Sequence, residues 1–556
     1  MKLLYFLMRH SKGVIILAAL IGIISGASSA LLMALINAKL GGGTAASNPN
    51  LVWYFVVIVG VTLVSNYVSR VLLSRIAQQA IFDLRMNLCR QVLASPLRRL
   101  EEIGSHRILA TLTQDIPTIT RAFLDLPFFC INLTIVVCCL VYLGWLSATV
   151  LGGLLVFLVL GMCGLVLPKR KADKVWRRAR EEADTLFDHF RALTSGIKEL
   201  RLHRPRREAF VAARLEASAA TYRDHQVEAG QLYALSGGWG FALYFVFMGF
   251  LLFMLPSMVE TSVQTLTGYT ITALYLRAPL VSVLDLFTTF GQAKMSLQKF
   301  DELGLSLDKD TPKELSGGPS EGASREAEWK SIQLSEVIHT YYREGTESNF
   351  ILGPINLKFE RGEMVFLMGG NGSGKTTLAK LLTGLYTPEG GTILVDDKPV
   401  DDHNREEYRQ LFSTVFSDFY LFELLGLDKS DLTERAQAYL ARLQLTHKTE
   451  IQGDRFSTTE LSQGQRKRLA LLTAYLEDRS VYVFDEWAAD QDPYFRDVFY
   501  LELLPELKAK GKTVIIISHD DRYTHVADRL VKLDYGLIET DRRLDSSERA
   551  GALASV

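Results

Sequence analysis

The sequence lacks an excess of either charge and contains few cysteines. Its 556 residues include 61 basic and 62 acidic side chains, which gives a net charge of −1 with histidine neutral. Because nucleic-acid binders usually carry a basic excess, this balance argues against a dedicated nucleic-acid binder. Five cysteines in a chain of this length do not form a disulfide framework. No nucleic-acid motif or internal repeat is present.

Charged residues are also missing from long stretches of the N-terminal half, namely between residues 12 and 39, 39 and 70, 125 and 169, and 228 and 260. A membrane-spanning helix needs about 20 apolar residues, so the third stretch is long enough for two spans with a turn at 143–147. A weaker span is expected near 265–290, where Arg277 and Asp285 interrupt an apolar segment. We therefore predict an α-helical membrane bundle of six transmembrane helices.

Loop charge predicts the orientation of this bundle. Residues 169–180 carry seven basic side chains and one acid, whereas the connection at 40–50 carries none. The positive-inside tendency then places the basic loops and both termini in the cytoplasm, in a multi-pass protein of the cytoplasmic (inner) membrane. The basic N-terminus and its apolar run also allow a cleaved signal peptide. However, the run is longer than a usual signal h-region, and its loss would leave five spans.

The chain divides into segments of different composition. Residues 1–300 form the predicted transmembrane domain, in which two charged, helix-forming loops at about 74–124 and 169–228 extend membrane helices as stalks. Residues 301–330 are polar and rich in glycine, serine and proline, which indicates a linker. Alternating strands and helices over 331–541 predict an α/β domain, and 542–556 form a C-terminal tail.

The strongest motif lies between the apolar strand at 364–368 and a helical run. Its glycines allow backbone N–H groups to surround phosphate oxygens, Lys375 reaches the β and γ phosphates, and the Thr376 hydroxyl can bind Mg²⁺. This context predicts a P-loop NTPase domain rather than a structural glycine turn. The residues expected to bind nucleotide here are Gly369, Asn371, Gly372, Ser373, Gly374, Lys375, Thr376 and Thr377.

Two further apolar strands end in candidate catalytic residues. The strand at 481–484 precedes Asp485, interpreted as a metal ligand, and Glu486, interpreted as the general base. Paired acids after a strand more often cap a helix, but the P-loop 110 residues earlier reverses that preference. His519 follows the strand at 513–517, where it can lie beside the γ-phosphate.

The segment Leu461-Ser462-Gln463-Gly464-Gln465 precedes a basic helical run. With this motif the chain resembles the ATP-binding cassette (ABC) transporter superfamily over essentially its whole length. In that superfamily the LSxGQ signature contacts the γ-phosphate of ATP held by a second cassette. The resemblance therefore implies a half-transporter that acts as a homodimer in the lipid bilayer, with ATP and Mg²⁺ as cofactors and with Ser462, Gly464 and Gln465 in the nucleotide site.

Three segments, at 408–419, 456–468 and 485–493, are similar to the cyclic-peptide export subfamily, which includes exporters associated with pyoverdine and syringomycin. This resemblance implies ATP-driven export of a cyclic peptide or peptide-siderophore precursor. It also assigns roles by position: Tyr341 stacks on adenine, Asp492 is the acid of the D-loop, and His519 is the switch histidine.

Ser417 departs from the superfamily, because most cassettes have a glutamine at this position. The serine side chain is shorter, so it either binds the metal, acts through a bridging water or is a passive loop residue. Asp285 and Arg277 are candidates for the cargo path, since ionisable groups at membrane depth are often functional. The alternative is that Asp285 is a cytoplasmic-end charge that reaches the headgroups or pairs with Lys294.

Two other functions fit the same motifs. A lipid or multidrug flippase shares all of the ATP chemistry. A membrane-anchored regulatory ATPase without cargo is the alternative of another class, and the presence of Glu486, His519 and the LSQGQ segment argues against such a degenerate regulator.

Overall fold

The fold is taken from a computed structural model, which describes residues 2–40, 49–104, 108–109, 111–258, 262–302, 329–341, 350–426 and 432–545. The chain divides into two units. The membrane unit consists of Met1–Cys89 and Leu109–Asp308, and the cassette unit consists of Arg90–Ile108 and Lys309–Val556. Residues 303–328 of the predicted linker and 546–556 of the predicted tail lie outside the described residues.

Helices make up the N-terminal part of the chain, because a helix satisfies every backbone N–H and C=O group within its own segment. They are α1 (Lys2–Leu40), α2 (Leu51–Ala94), α3 (Leu97–Ile103), α4 (Ile116–Leu146), α5 (Ala148–Ser195), α6 (Ile197–Leu202), α7 (Arg204–Phe210), α8 (Ala217–Gly249), α9 (Leu255–Met258) and α10 (Val263–Glu302). Short π-helical turns precede α4 at Thr111–Asp115, precede α8 at Val211–Glu216 and follow α8 at Phe250–Met254.

Five helical stretches are long and apolar enough to cross a membrane. They are Leu20–Leu40, Leu51–Ala94, Thr111–Leu146, Arg204–Ser257 and Val263–Gln298. The predicted fourth span falls in α5, whose described apolar part, Ala148–Leu160, is shorter. Most side chains between 161 and 169 lie outside the described residues. The expected count of six spans is therefore not confirmed within the described part of the chain.

The predicted turn between the third and fourth spans is confined to one residue. Ser147 is extended between α4 and α5, and its hydroxyl caps α5 by accepting from the Val150 N–H at 3.5 Å. The buried Tyr269 of α10 donates its hydroxyl to the carbonyl oxygens of Leu143 and Ser147, both at 2.8 Å. The same two carbonyl oxygens also accept backbone N–H groups, from Ser147 and Leu151 respectively, so the phenol adds a contact from α10 to the junction of α4 and α5.

The cassette unit is an α/β domain with two main sheets. Its strands are β1 (Ser331–Tyr341), β2 (Phe350–Glu360), β3 (Met364–Gly369), β4 (Gly390–Val395), β5 (Lys398–Pro399), β6 (Phe412–Val415), β7 (Ile451–Gln452), β8 (Arg455–Phe456), β9 (Val481–Asp485), β10 (Thr513–Ile517), β11 (Arg529–Asp534) and β12 (Leu537–Arg543). Its later helices are α11 (Lys375–Leu382), α12 (Arg405–Arg409), α13 (Leu432–Arg442), α14 (Gln463–Glu477), α15 (Pro493–Asp497) and α16 (Leu504–Ala509).

The larger sheet has the strand order β12-β11-β3-β10-β9-β6, and every pair except β11 with β12 is parallel. Strands β9 and β10 are buried along their whole length, as expected for parallel strands covered on both faces. The register pairs Ile517 with both Leu367 and Asp485, so β3, β9 and β10 end at one edge. The antiparallel sheet β2-β1-β4-β5 packs beside it in the same unit.

Helix α3, in the first predicted stalk, belongs to the cassette unit. Arg98 pairs with Glu389, and Glu101 accepts from Lys380 Nζ of α11 at 2.7 Å and from the Tyr386 hydroxyl. Leu97 packs on the apolar core formed by β1, β2, β3 and α11. The segment Arg90–Ile108, which follows α2 residues of the membrane unit in the chain, is thus held in the cassette unit by ion pairs and apolar contacts of α3.

Glu477, the last residue of α14, provides a test of cassette packing. Its carboxylate accepts from the buried Ser413 hydroxyl at 2.8 Å, and burial raises its pKa. Because the folded pKa lies above the unfolded one, the wild type loses stability as pH rises through the folded pKa. We expect Glu477→Gln to raise the melting temperature of the purified full chain by about 2 °C near pH 7.

The same comparison near pH 4 serves as the control, since the wild-type carboxyl group is then protonated in both states and the gain should disappear. A variant that is less stable than the wild type at both pH values would contradict this prediction.

Candidate active site

The P-loop connects β3 to α11 through glycines that the local geometry requires. Gly369 has φ of +145° and Gly374 has φ of +102°, a region that side-chain-bearing residues rarely adopt. A Cβ atom at Gly369 would lie 2.2 Å from the Leu533 carbonyl oxygen. The buried Ser373 hydroxyl has no hydrogen-bond partner among the described residues. The loop therefore combines an unpaired buried hydroxyl with the N-terminus of α11, where backbone N–H groups can meet an anionic ligand.

Lys375 is buried inside this loop. Its Nζ atom donates to the carbonyl oxygens of Gly369 and Gly370, both at 2.9 Å. Burial lowers the pKa of Lys375, while the nearby Glu486 and Asp485 carboxylates act in the opposite direction. The ammonium group is thus held by the backbone at the start of the loop.

Asp485 lies at the end of β9 with 1% of its surface exposed. Its Oδ2 atom accepts from the Thr376 hydroxyl at 3.0 Å and from the Ser417 hydroxyl at 3.4 Å. Its Oδ1 atom is buried and has no partner among the described residues. Burial raises the pKa of this carboxyl group, and the Thr376 hydrogen bond opposes the increase. A buried oxygen cluster with a free carboxylate oxygen fits Mg²⁺, which prefers such ligands.

Glu486 follows directly and has a left-handed backbone with φ of 52°. Its N–H donates to the Ile517 carbonyl oxygen at 3.0 Å, and its Oε1 atom lies 2.9 Å from Nε2 of His519. Both side chains are exposed, so they are open to a water molecule and to nucleotide. The structure therefore brings together Lys375, Thr376, Ser417, Asp485, Glu486 and His519 at the edge where β3, β9 and β10 end.

The signature residues Ser462, Gly464 and Gln465 open α14. The Ser462 N–H donates to Oε1 of Gln465 at 3.2 Å, and the Gly464 carbonyl oxygen accepts from Nε2 of Gln491 at 3.1 Å. Within the described chain, no side-chain hydrogen bond joins these three residues to the P-loop.

Two other predicted residues lie at element ends. Tyr341 ends β1 with 49% of its surface exposed, which leaves its ring accessible for stacking. Asp492 caps α15, where its Oδ1 atom accepts from the Phe495 N–H at 3.1 Å. Asp492 therefore has a local structural contact in addition to the role that the resemblance implies.

The structure does not bring Arg277 and Asp285 together. The Arg277 guanidinium lies 4.8 Å from the centre of the Phe241 ring and 5.5 Å from that of Tyr244. Asp285 is exposed and, like Arg277, forms no ion pair with another described residue. The alternative contact with Lys294 is likewise not formed in this part of the chain.

Four residues near the site have no role that the sequence motifs predict, namely Lys467, Trp487, Asp490 and Gln491. Lys467 is buried and forms an ion pair of 2.7 Å with Asp490. All four residues lie in segments that resemble the peptide-export subfamily, and that position was the one indication in the sequence of a role for them.

Two family models match this chain. The family model described as "ABC transporter transmembrane region" matches residues 13–280, and the model described as "ABC transporter" matches residues 352–489. The chain is 35% identical over 535 residues to the "ATP-binding protein SyrD" of Pseudomonas syringae pv. syringae, covering 94% of this chain and 93% of SyrD. The chain belongs to the ABC transporter family.

Other ABC transporters match over the whole chain. The "ATP-dependent lipid A-core flippase" of Burkholderia orbicola (strain AU 1054) is 24% identical over 593 residues, covering 100% of this chain and 94% of the flippase. A solved "bacterial Atm1-family ABC exporter with ATP bound" has a TM-score of 0.71 at 16% identity, over 99% of this chain and 98% of that chain. This ABC transporter therefore has the exporter fold and the size of a half-transporter.

The two hydroxyl groups at Asp485 should differ in importance. We expect Thr376→Ala to lower Mg²⁺-dependent ATP hydrolysis about tenfold, because the Thr376 contact to Asp485 is a well-formed hydrogen bond at 3.0 Å. Ser417→Ala should lower the rate by less than about threefold, since its contact of 3.4 Å is at the limit of a hydrogen bond. Hydrolysis by the purified variants, titrated with Mg²⁺, checks both expectations. Equal losses would contradict the ranking.

Proposed function

We propose that this ABC transporter exports a cyclic peptide or a peptide-siderophore precursor across the cytoplasmic membrane, as a homodimer driven by ATP hydrolysis. ATP-driven transport through a multi-pass membrane protein follows from the family. The class of cargo, the homodimeric state and the location in the cytoplasmic membrane are proposed in addition to it. The observation that carries it is the similarity to SyrD along nearly the whole chain, together with the resemblance of three cassette segments to peptide exporters.

The site residues have proposed roles in hydrolysis. Lys375 and the backbone N–H groups of the P-loop bind the phosphates, and Tyr341 stacks on adenine. Thr376 and Asp485, with Ser417 in contact with Asp485, would hold Mg²⁺, which neutralises phosphate charge when bound. Glu486 accepts the proton of the attacking water, and His519, 2.9 Å from Glu486, orients that carboxylate beside the γ-phosphate.

The arrangement of the signature supports a homodimer. The Ser462 N–H donates to Gln465 within the same turn, and the Gly464 carbonyl oxygen accepts from Gln491 of the same chain. A signature of this kind contributes to an ATP site when a second copy supplies the P-loop. Two identical chains then form two sites, each with the P-loop of one copy and the signature of the other.

Orientation in the membrane follows from charge. The basic stretch at 169–180 lies on the cytoplasmic side of the bilayer, as do the cassette unit and both termini. ATP is then available to the site, and cargo moves outward.

A lipid flippase is the second candidate. The "ATP-dependent lipid A-core flippase" of Burkholderia orbicola aligns with the complete chain, and the ATP chemistry is the same for either cargo. A regulatory ATPase without cargo is disfavoured, because Glu486 and His519 are both present and in contact.

Replacement of Glu486 tests the assigned base. We expect Glu486→Gln to lower ATP hydrolysis by about a hundredfold or more while nucleotide binding remains, because the amide cannot accept the proton of the attacking water. Glu502→Gln is the matched control, since its carboxylate pairs with Arg442 at 3.3 Å and makes no recorded contact with the site. Hydrolysis near the wild-type rate in the Glu486 variant would remove Glu486 from this role.

Cargo-dependent hydrolysis tests the peptide proposal. The full-length protein is reconstituted in proteoliposomes, and ATP hydrolysis is measured with a cyclic lipopeptide, with lipid A or with a hydrophobic cationic drug. We expect the peptide to raise hydrolysis several-fold and the other two to have no effect. Stimulation by lipid A alone would support the flippase, and no stimulation by any compound would favour the regulatory ATPase.

A further inference from the structure

Two of the segments that resemble the peptide-export subfamily contact each other in the fold. One opens α14 with the signature, and the other follows β9 from Glu486 to Asp492. Nucleotide chemistry explains Ser462, Gly464, Gln465 and Glu486 in these segments. It does not explain the other polar residues through which the two segments contact each other, which include Lys467 and Asp490.

Lys467 is the centre of this contact. Only 4% of its surface is exposed, so its ammonium group needs partners inside the protein. Its Nζ atom lies 2.7 Å from Oδ2 of Asp490 and donates to the carbonyl oxygen of Glu486 at 3.2 Å. The Asp490 side chain is half-exposed. A buried cation on α14 thus binds the backbone of the candidate base directly.

Further hydrogen bonds join the same two segments. The buried Trp487 donates its Nε1–H to the Lys467 carbonyl oxygen at 2.8 Å. The buried Gln491 donates to the Gly464 carbonyl oxygen at 3.1 Å, and Gln463 donates to Oδ2 of Asp490 at 3.3 Å. The loop after β9 is therefore attached to the first turns of α14 at several points.

This attachment fixes a backbone that would not hold its conformation alone. Glu486 has φ of 52°, which a residue with a side chain adopts only when its surroundings impose it. The Ile517 carbonyl oxygen holds the Glu486 N–H at 3.0 Å, and Lys467 holds the Glu486 carbonyl oxygen. Because the side chain leaves the same Cα atom, these contacts help to set where the carboxylate points.

We propose that Lys467, held by Asp490, is a positioning residue that fixes Glu486 of the same chain in the orientation needed for ATP hydrolysis. The proposal rests on the proposed function, in which Glu486 is the base. In this role Lys467 acts through the backbone of Glu486, whose carbonyl oxygen it holds at 3.2 Å.

Replacement of Lys467 by methionine is the first test. We expect Lys467→Met to lower kcat for ATP about tenfold to a hundredfold, because a shift of about 1 Å at a reacting group has effects of this size. KM for ATP should stay within about twofold, since the P-loop is unchanged. Lys510→Met, which removes an exposed ion pair with Glu506 of 2.8 Å, is the matched control and should retain the wild-type kcat.

Folding is followed separately through the melting temperature and through nucleotide affinity. If the Lys467 variant does not fold, Asp490→Ala replaces it, because that change removes the same ion pair from a half-exposed side chain. An unchanged kcat in a folded variant overturns the proposal, as does a rise in KM that accounts for the whole loss.

Mixed dimers test whether Lys467 acts on its own chain. The reference is a wild-type chain paired with a Glu486→Gln chain, which retains one competent base. The second dimer pairs a Lys467→Met chain with a Glu486→Gln chain. Its one intact Glu486 lies in the chain that lacks Lys467, so hydrolysis should fall about tenfold or more below the reference. The third dimer pairs a chain that carries both changes with a wild-type chain. Hydrolysis should match the reference, because the intact Glu486 and its Lys467 are then in the same wild-type chain. The reverse pattern would show action through the signature and overturn the proposal.

The outcomes separate this proposal from the one on which it rests. If Glu486→Gln homodimers hydrolyse ATP at the wild-type rate, the assignment of the base fails whatever Lys467 does. If they are inactive and the Lys467 variant is fully active, only the positioning role fails. If the reference dimer is itself inactive, the mixed dimers cannot be compared. Single-turnover hydrolysis of prebound ATP by the Lys467→Met homodimer then tests the positioning role, and a wild-type rate would overturn the proposal.

Discussion

The buried carboxylate of Asp485 is the group on which the arrangement of the cassette site depends. It is placed by the parallel sheet, because β9 and its neighbour β10 end in register at one edge. A carboxylate with 1% exposure needs partners, and Thr376 of α11 and Ser417 after β6 supply two of them. The remaining oxygen has no partner among the described residues and would be the ligand in the proposed Mg²⁺ site.

Helix α14 connects this edge to the rest of the cassette. Its start carries the signature, its second turn carries Lys467, and Glu477 at its end accepts from Ser413 in β6. Glu486, the loop after β9 and the signature are thus parts of one hydrogen-bonded assembly. A displacement of α14 within the cassette unit would therefore change the surroundings of Glu486. In this way a contact made by the signature at the start of α14 could affect ATP hydrolysis at Glu486.

Much of the site was predictable, because it is encoded in short contiguous segments. The P-loop, the strand before Asp485 and the strand before His519 each combine an apolar run with a local chemical motif, and parallel strands place such ends together. The count of six spans stays a prediction, since most side chains that would complete the apolar part of α5, between 161 and 169, lie outside the described residues. Asp285 and Arg277 have no local motif, and the fold does not join them.

The sequence by itself determined the family, the ATP chemistry and the separation of a membrane unit from a cassette. These features depend on residue type and local spacing, which can be read along the chain. Only the tertiary structure decided that Lys467 is buried against Asp490 and Glu486, and that α3 contacts Glu389, Lys380 and Tyr386. Such contacts join segments distant in the chain, and the surroundings that bury a charge exist only after those segments pack.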